Sequence, residues 1–240
     1  MNRAVDKHPM ARGATTSGVV PPATRILAEF VAGHPSGGWD HRVEREAHRT
    51  LLNWVGCAIG ASRHAAIEAA LAAIKDLEPS KQATLLGRRE RVDTASAALL
   101  NGISSHTFDF DDTHLKTIIH PAGPVASAAL ALSEHSGVSG RVLLDAIVLG
   151  ADVACRVGNA IYPDHYDRGW HITGSTGMLG AAAACARVLG LDAQRTAMAL
   201  GIAASKPPAG CIATNSASTR VTGGASLSVL ALVSGATISR

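Results

Sequence analysis

Aromatic and charged residues are both scarce in this chain of 240 residues. Phenylalanine, tyrosine and tryptophan make up 3% of the sequence, and charged residues make up 17%. Strands are enriched in aromatic and β-branched side chains, whereas abundant alanine favours helices that approach one another closely. A hydrophobic fraction of 47% still provides enough material for a folded core. The composition excludes an intrinsically disordered chain and favours an all-α fold.

Several functional classes lack their usual sequence signals. The net charge is only +3, and no basic run with interleaved aromatics indicates nucleic-acid binding. No stretch offers the roughly 18 apolar residues that a membrane span needs. The cysteines lack C-x-x-C spacing, which argues against a disulfide framework or a zinc site. We therefore expect a soluble, cytoplasmic protein that binds neither nucleic acid nor membranes. The four cysteines are Cys57, Cys155, Cys185 and Cys211.

Three regions differ in composition. Residues 1–22 carry scattered charges, glycine and proline without the apolar core of a signal peptide, which predicts a disordered leader. Residues 23–205 have helical apolar spacing and form the predicted domain. Residues 206–240 are dominated by serine, threonine, glycine and alanine and contain no acid, which predicts a disordered or unrelated tail.

Helical spacing of apolar residues and candidate capping residues predict seven or eight helices. The second half of the second helix is apolar on all sides, so we expect it to be buried. The seventh is so rich in glycine and alanine that a neighbouring helix should pack at backbone distance. The predicted helices run from a cap at Thr24 to Val31, His41 to Ile59, Ile67 to Leu77, Ala95 to Ser105 behind Asp93 or Thr94, Pro121 to His135, Ser139 to Val157, Thr173 or Ser175 to Ala184, and Asp192 to Ser205.

Ionisable groups concentrate between positions 106 and 120. This segment contains three carboxylates, three imidazoles and one ammonium group, whereas its flanks are almost entirely small or aliphatic. Neighbouring like charges cost free energy unless a ligand, a metal or a cation compensates them. The segment is therefore the candidate active site. Its carboxylates are Asp109, Asp111 and Asp112.

An aspartate of this segment could orient an imidazole such as His120, which transfers protons near neutral pH. The alternative is structural, because Asp111 and Asp112 could cap the next helix or face water. A second candidate is His171, which precedes the glycine-rich helix whose N-terminal amides could receive a carboxylate. A histidine beside a tryptophan can equally be a packed structural residue. The histidines expected at the surface are His34, His41, His48, His64, His135 and His165.

Several motifs together resemble the MmgE/PrpD family, in the same order along the chain. The D-F-D-D-T motif with its downstream H-P pair is quite specific, and the likeness runs from about Thr24 to Ser205. The motifs are Leu51 to Ala58, Asn101-Gly102, His106 to Thr113, His120-Pro121, Trp170-His171 and Gly174 to Gly177.

The resemblance implies a helical domain joined to a separate α+β lid domain, with the active site in the cleft between them. It also implies a homodimer, no metal and no organic cofactor. Family members include 2-methylcitrate dehydratases, cis-aconitate decarboxylases and an iminodisuccinate epimerase. The implied chemistry is proton removal beside a carboxylate of a small polycarboxylate, with loss of water or carbon dioxide or with reprotonation on the other face.

The resemblance also implies which residues form the site, because each family position is matched to one residue of this sequence. The positions that match the catalytic set are Asp109, Thr113, His120 and His171. The residues expected to bind substrate are His106, Asp112, Thr173 and Gly174.

The chain departs from the family pattern after Ser205. Relatives continue into a T-K-P-x-H motif with an active-site lysine, and Lys206 is not equivalent to it because it stands too early. The lid and the returning C-terminal helices are also absent from the sequence. We therefore expect a truncated or frameshifted product that catalyses poorly, because a half-cleft lacks positioning and electrostatic stabilisation.

Two other functions stay open at this point. One is a non-catalytic helical remnant or dimerisation module. The other is a magnesium-dependent enzyme acting on diphosphates, in which Asp109, Asp111 and Asp112 would bind the metal. So few aromatic residues are poor walls for the carbocation that such enzymes stabilise.

Overall fold

The computed structural model describes residues 22–77 and 79–205, which form an all-α array with one short hairpin. The predicted fold class is therefore confirmed. Strands β1 (Ala83–Thr84) and β2 (Arg91–Val92) are antiparallel, with Ala83 opposite Val92. The helices of the described residues are α1 Pro22–Gly33, α2 His41–Ala61, α3 Ala65–Lys75, α4 Thr94–His106, α5 Ala122–Ser136, α6 Gly140–Ile161, α7 Asp164–Asp167, α8 Ile172–Val188 and α9 Ala193–Ala204.

Side-chain caps fix the start of three helices where the sequence predicted them. Asp93, Ser139 and Asp192 each accept a hydrogen bond from the backbone N–H three residues later, at the starts of α4, α6 and α9. Such a cap satisfies an otherwise unpaired donor and stabilises a helix by about 1 kcal/mol. These boundaries are local properties of the chain.

Helix α8 lies at the centre of the array and packs against α5, α6 and α9. Its glycines permit this, because a Cβ atom added at Gly180 would lie 2.6 Å from the carbonyl oxygen of Gly150 in α6. A Cβ atom at Gly177 would lie 2.5 Å from Cγ of Pro124 in α5. The predicted packing at backbone distance is confirmed, and it places the N-terminus of α8 beside the segment between α4 and α5.

Three details of the helix predictions are wrong. Helix α1 begins at Pro22, so Thr24 lies inside it; proline suits a first turn because its backbone angle is already helical. Helix α8 begins after His171, before either predicted start. The second half of α2 is not fully buried, because Leu52 is 73% exposed and Ile59 is 48% exposed. The core covers only one side of this apolar half of α2.

The predicted leader and the predicted tail fall almost entirely outside the described residues. The tail at 206–240 and residues 1–21 of the predicted leader lie outside them. Within the described ranges, no single helix is long and apolar enough to cross a membrane, and α2 and α3 pass that test only as a pair bent by 82°.

Candidate active site

The loop between α4 and α5 holds the D-F-D-D-T motif and turns sharply at Asp109. The backbone of Asp109 has φ of 60°, a left-handed conformation that aspartate tolerates better than most residues. The side chain of Asn53, in α2, donates a hydrogen bond of 3.0 Å to the carbonyl oxygen of Phe110. The turn leaves the Asp109 side chain 60% exposed and directs that of Asp111, at 0% exposure, into the protein.

The last residue of α4, His106, pairs with Asp111. Both carboxylate oxygens of Asp111 lie 2.9 to 3.0 Å from Nδ1 of His106. The His106 side chain is only 4% exposed, so water screens this pair weakly. The sequence left Asp111 as a helix cap or a solvent-facing residue, and both readings are wrong for it. A buried carboxylate needs a partner, and the nearest imidazole provides one.

A tight loop and the start of α8 place His120. The backbone N–H of His120 donates to Oγ1 of Thr173 at 3.1 Å. The preceding residue, Ile119, is fully buried and fits against Gly158 in α6, where a Cβ atom would lie 2.2 Å from Cδ1 of Ile119. The ring of His120 lies 4.9 Å from that of His106, measured between centroids.

The two rings lie between two carboxylates. Nδ1 of His120 lies 3.5 Å from Oδ1 of Asp111, and its Nε2 lies 3.8 Å from Oδ1 of Asp109. Nε2 of His106 lies 4.0 Å from the same Asp109 oxygen. Oγ1 of Thr113 lies 3.5 Å from Nδ1 of His120. The structure therefore brings together three of the four predicted catalytic residues: Asp109, Thr113 and His120. It adds to them His106, which was predicted to bind substrate.

The fourth predicted residue, His171, caps α8. Its Nδ1 accepts a hydrogen bond of 3.1 Å from the backbone N–H of Gly174, so the proton of the neutral ring lies on Nε2. This bond already engages the Gly174 amide, and the Thr173 hydroxyl already accepts from His120. The roles of Thr173 and Gly174 in substrate binding stay predictions.

The pKa values of His106 and His171 move in opposite directions. Burial lowers the pKa of His106, but the hydrogen bond to Asp111 and the charges of the neighbouring carboxylates outweigh it, so the net pKa is raised. Burial lowers the pKa of His171, and the charges of His106 and His120 lower it further. Environments that separate the pKa values of neighbouring groups are typical of acid and base pairs.

Asp112 has a different environment from Asp111. Its Oδ1 accepts a hydrogen bond of 3.1 Å from the backbone N–H of Ala122, the first residue of α5. The capping alternative therefore holds for Asp112. Burial, together with the charge of Asp111, raises the pKa of Asp112 to about 7 although the Ala122 bond opposes this. A carboxyl group that titrates near neutrality can donate a proton, so Asp112 also stays a candidate for substrate binding.

Sequence reasoning missed a histidine beside α8. Of the six histidines predicted at the surface, His165 and His34 are half-buried, and the others are exposed. Nε2 of His165 lies 2.9 Å from Oγ of Ser175, and its ring stacks on Trp170. The H-x-x-x-x-W-H spacing gives no recognisable signal, because only folding of α7 brings these rings together.

A metal ion is a second explanation for part of this cluster. Single donor atoms of His106, Asp109, Asp111 and His120 all lie within 4.8 Å of one another. Asp112 is outside this group, so the three carboxylates proposed for magnesium do not surround one point. Direct pairing between His106 and Asp111 already accounts for the arrangement without an ion.

Large apolar side chains surround the site and face solvent in the described structure. Soluble domains expose such patches mainly where another surface covers them. The exposed fractions are 50% for Phe108, 76% for Phe110, 87% for Leu115 and 38% for Ile118.

Comparison with known proteins supplies relatives for this arrangement. A cis-aconitate decarboxylase-like protein of Aspergillus oryzae is 34% identical over 172 residues, covering 68% of this chain and 36% of that protein. The human cis-aconitate decarboxylase is 30% identical over 189 residues, which are 76% of this chain and 39% of that protein. The cis-aconitate decarboxylase of Aspergillus terreus is 28% identical over 170 residues, which are 68% of this chain and 35% of that protein. The chain thus spans between 35% and 39% of the length of these relatives.

A family model describes most of the chain. The model of the MmgE/PrpD N-terminal domain matches residues 25–230, so it runs past Ser205 into residues that the structure does not describe. The resemblance carried by the D-F-D-D-T motif and the helical fold point to the same group. The chain belongs to the MmgE/PrpD family, within its N-terminal domain.

Proposed function

We propose that this chain provides the helical half of a lyase active site that acts on a small polycarboxylate without a cofactor. The observation that carries the proposal is the cluster of His106, His120, Asp109 and Asp111, whose donor atoms lie within 4.8 Å beside the N-terminus of α8. Imidazoles suit proton transfer near neutral pH, and a helix N-terminus favours an anionic ligand.

Decarboxylation is the preferred reaction, because the relatives carry the name cis-aconitate decarboxylase. When a carboxylate leaves as carbon dioxide, the electron pair of the broken C–C bond stays on the substrate. That pair, or the carbon to which a neighbouring double bond relays it, takes up one proton. The enzyme therefore has to deliver a proton to carbon and to stabilise the negative charge that builds up.

The described residues offer both partners for such a step. His106 has a raised pKa and is the better cation for holding a carboxylate, whereas His171 has a lowered pKa and is more often neutral, so it can accept a proton. His120 lies between carboxylates with Nε2 towards the exposed Asp109, which suits it to transfer the proton. Dehydration of a substrate such as 2-methylcitrate would use the same groups to remove a proton beside a carboxylate.

The described half-site is too acidic to hold a tricarboxylate by itself. Aspartates lie beside His106 and His120, and burial and the charges of these two histidines lower the pKa of His171, so His171 is a poor source of positive charge. Cationic groups and exclusion of water therefore have to come from elsewhere.

We propose that the isolated chain binds its substrate weakly and turns it over poorly. We also propose that it forms a homodimer in a reducing compartment such as the cytoplasm. Robust turnover of cis-aconitate or 2-methylcitrate by the isolated chain would contradict the impairment.

An NMR titration of the chain tests the proposed substrate class. With 15N-labelled histidine, cis-aconitate should shift the ring signals of His120 and His171 more than those of the exposed His41. Propionate at equal ionic strength serves as the control, since it has one carboxylate and the same counter-ions. Equal shifts with both acids, or shifts spread evenly over all histidines, would contradict recognition of a polycarboxylate and would favour the non-catalytic alternative.

A further inference from the structure

The buried carboxylate of Asp111 faces the Nδ1 atoms of two imidazoles, those of His106 and His120. Nδ1 of His106 lies 2.9 Å from Oδ2 of Asp111, and Nδ1 of His120 lies 3.5 Å from its Oδ1. An ionised carboxylate only accepts hydrogen bonds, so Nδ1 of His106, which bonds to it, carries a proton. Nδ1 of His120 lies 3.5 Å from both Asp111 and the Thr113 hydroxyl; the hydroxyl can donate or accept, whereas the carboxylate only accepts and favours a proton on this nitrogen. The geometry therefore selects the tautomer of both rings and assigns the same proton position to each.

The opposite edges of the two rings also face a common point. Nε2 of His106 and Nε2 of His120 lie 4.0 and 3.8 Å from one oxygen of Asp109. Asp109 is 60% exposed, whereas the Asp111 side chain has no exposed surface. Asp111 therefore lies on the interior side of the two rings, and Asp109 lies on their solvent-facing side.

We propose that Asp111 is the positioning residue of this site: it holds Nδ1 of His106 and His120, so that both Nε2 atoms face the substrate side together. The inference rests on the proposed function for its consequence, because His120 then presents Nε2 for proton transfer, and His106 in its protonated form presents its Nε2–H to a substrate carboxylate. The tautomers themselves do not depend on that function.

The spacing of the outer atoms supports this division. Distances of 3.8 to 4.0 Å between the Nε2 atoms and Asp109 are too long for a hydrogen bond. On the inner side, Nδ1 of His106 lies at an ideal 2.9 Å from Asp111, and Nδ1 of His120 lies at 3.5 Å. Catalytic contacts are often long before substrate binds, and shorten in the complex. The inner side of the site is thus held by shorter contacts than the side that faces Asp109.

A merely structural pair would behave differently. If Asp111 only tied the end of α4 to the following loop, its loss would lower stability but leave the tautomer of His120 unchanged. A positioning role requires that the ring of His120 also responds, because Asp111 lies between the two imidazoles. Orientation of a catalytic histidine by a buried carboxylate has a large effect elsewhere, about 10⁴-fold in kcat for serine proteases.

The test is 15N NMR of the ring nitrogens in the wild-type chain, with signals assigned through the variants His106→Gln and His120→Gln. Both rings should show a protonated Nδ1 in the neutral form, and Nε2 should be the nitrogen that titrates. A neutral form with the proton on Nε2, in either ring, would overturn the proposal even if the chain proves catalytically active.

Asp111→Asn completes the experiment, with Asp145→Asn as the matched control. Asp145 is also fully buried, but it accepts from Trp39 Nε1 at 2.8 Å and from the Gly37 amide at 3.0 Å. We expect Asp111→Asn to lower the pKa of His106 and to mix the tautomers of His120. We expect the control to lower stability and leave both rings unchanged. Unchanged rings in Asp111→Asn would assign the pair a structural role only.

Kinetics separate this inference from the proposed function. Asp111→Asn should slow incorporation of solvent deuterium into the decarboxylated product of cis-aconitate at least tenfold relative to the slow wild-type rate, since general acid and base groups contribute about 10²- to 10⁴-fold. If the wild-type chain shows the expected tautomers but no incorporation above the uncatalysed rate, the proposed function fails while the positioning role stands. If incorporation occurs but the tautomers differ, only the positioning role fails.

Discussion

Gly150 in α6 and Gly180 in α8 touch through their backbones: a Cβ atom added to either residue would lie 2.6 Å from the carbonyl oxygen of the other. Helices cannot cross at this distance if either position carries a side chain. Because α8 also supplies His171 and Thr173, this contact sets how deep the start of α8 lies beside the candidate site.

Gly180→Ala should therefore destabilise the chain. The added methyl group meets backbone atoms that cannot rotate away, and overpacking of this kind costs about 1–3 kcal/mol. Gly201→Ala in α9 is the control, because nothing lies within 4 Å of its Cβ position and alanine favours helix by about 1 kcal/mol. Urea unfolding should move in opposite directions for the two variants. Equal stability of the two would show that α6 and α8 are farther apart.

Asp112 should make the stability of the chain depend on pH. Its folded pKa of about 7 lies above the ordinary value of 3.8, so the folded state binds more protons between these values. The free energy of unfolding therefore falls as pH rises from about 4 to about 7. His106, whose pKa is also raised, contributes in the same direction as pH rises through its own pKa.

Asp112→Asn isolates the first contribution, because asparagine keeps an oxygen that accepts from the Ala122 amide. We expect the variant to be more stable than wild type at pH 8 and nearly equal at pH 4, in urea unfolding at both values. Asp152→Asn, which removes a partly exposed carboxylate paired with Arg156, should not change with pH in this way. A constant difference between wild type and Asp112→Asn across this range would contradict the raised pKa.

Thr173→Val should disturb His120 while keeping the shape of the side chain. The backbone N–H of His120 would lose its acceptor, and an unsatisfied buried donor costs about 1–3 kcal/mol. Thr173→Ser keeps the hydroxyl and should retain most of the stability and the NMR signals of His120. If both variants shift these signals equally, packing of the methyl group matters more than the hydrogen bond.

Metal analysis should distinguish the lyase from the magnesium-dependent alternative. Because His106 and Asp111 already satisfy one another, we expect less than one tightly bound ion per chain by mass spectrometry. Binding of cis-aconitate should be the same with and without a chelator. Stoichiometric metal at the cluster, lost together with ligand binding on chelation, would favour the alternative.

The exposed face of α2 should take part in self-association. Leu52 and Ile59 are seven residues apart on one face of the helix, and both are largely exposed. Sedimentation of the wild-type chain should show a dimer, and Leu52→Glu should shift it towards monomer. Ile26→Glu is the control, because Ile26 is 61% exposed on a different helix, α1. A monomeric wild type would contradict the homodimer.

Much of the fold was accessible from the sequence because its signals are local. Apolar residues at helical spacing and caps such as Asp93 and Ser139 depend on neighbours within a few positions. The errors have a common cause. Which side of α2 the core covers depends on other helices, and the second half of α2 is apolar on every side.

The site shows the same division. The sequence located the acidic segment and His171, and the motif supplied candidate roles. It did not distinguish the environments of Asp111 and Asp112, which are neighbours in the chain. A turn at Asp109 with positive φ sends one carboxylate to His106 and leaves the other at the start of α5.

The sequence by itself determined that the chain is helical, where α4, α6 and α9 begin, and which short segment concentrates its ionisable groups, since each of these depends on composition and near-neighbour spacing. Only the tertiary structure decided that His106 and His120 share one carboxylate and that the start of α8 lies against them. The position of α8 depends on its close packing against α6 at Gly150 and Gly180, and no local pattern encodes such distances.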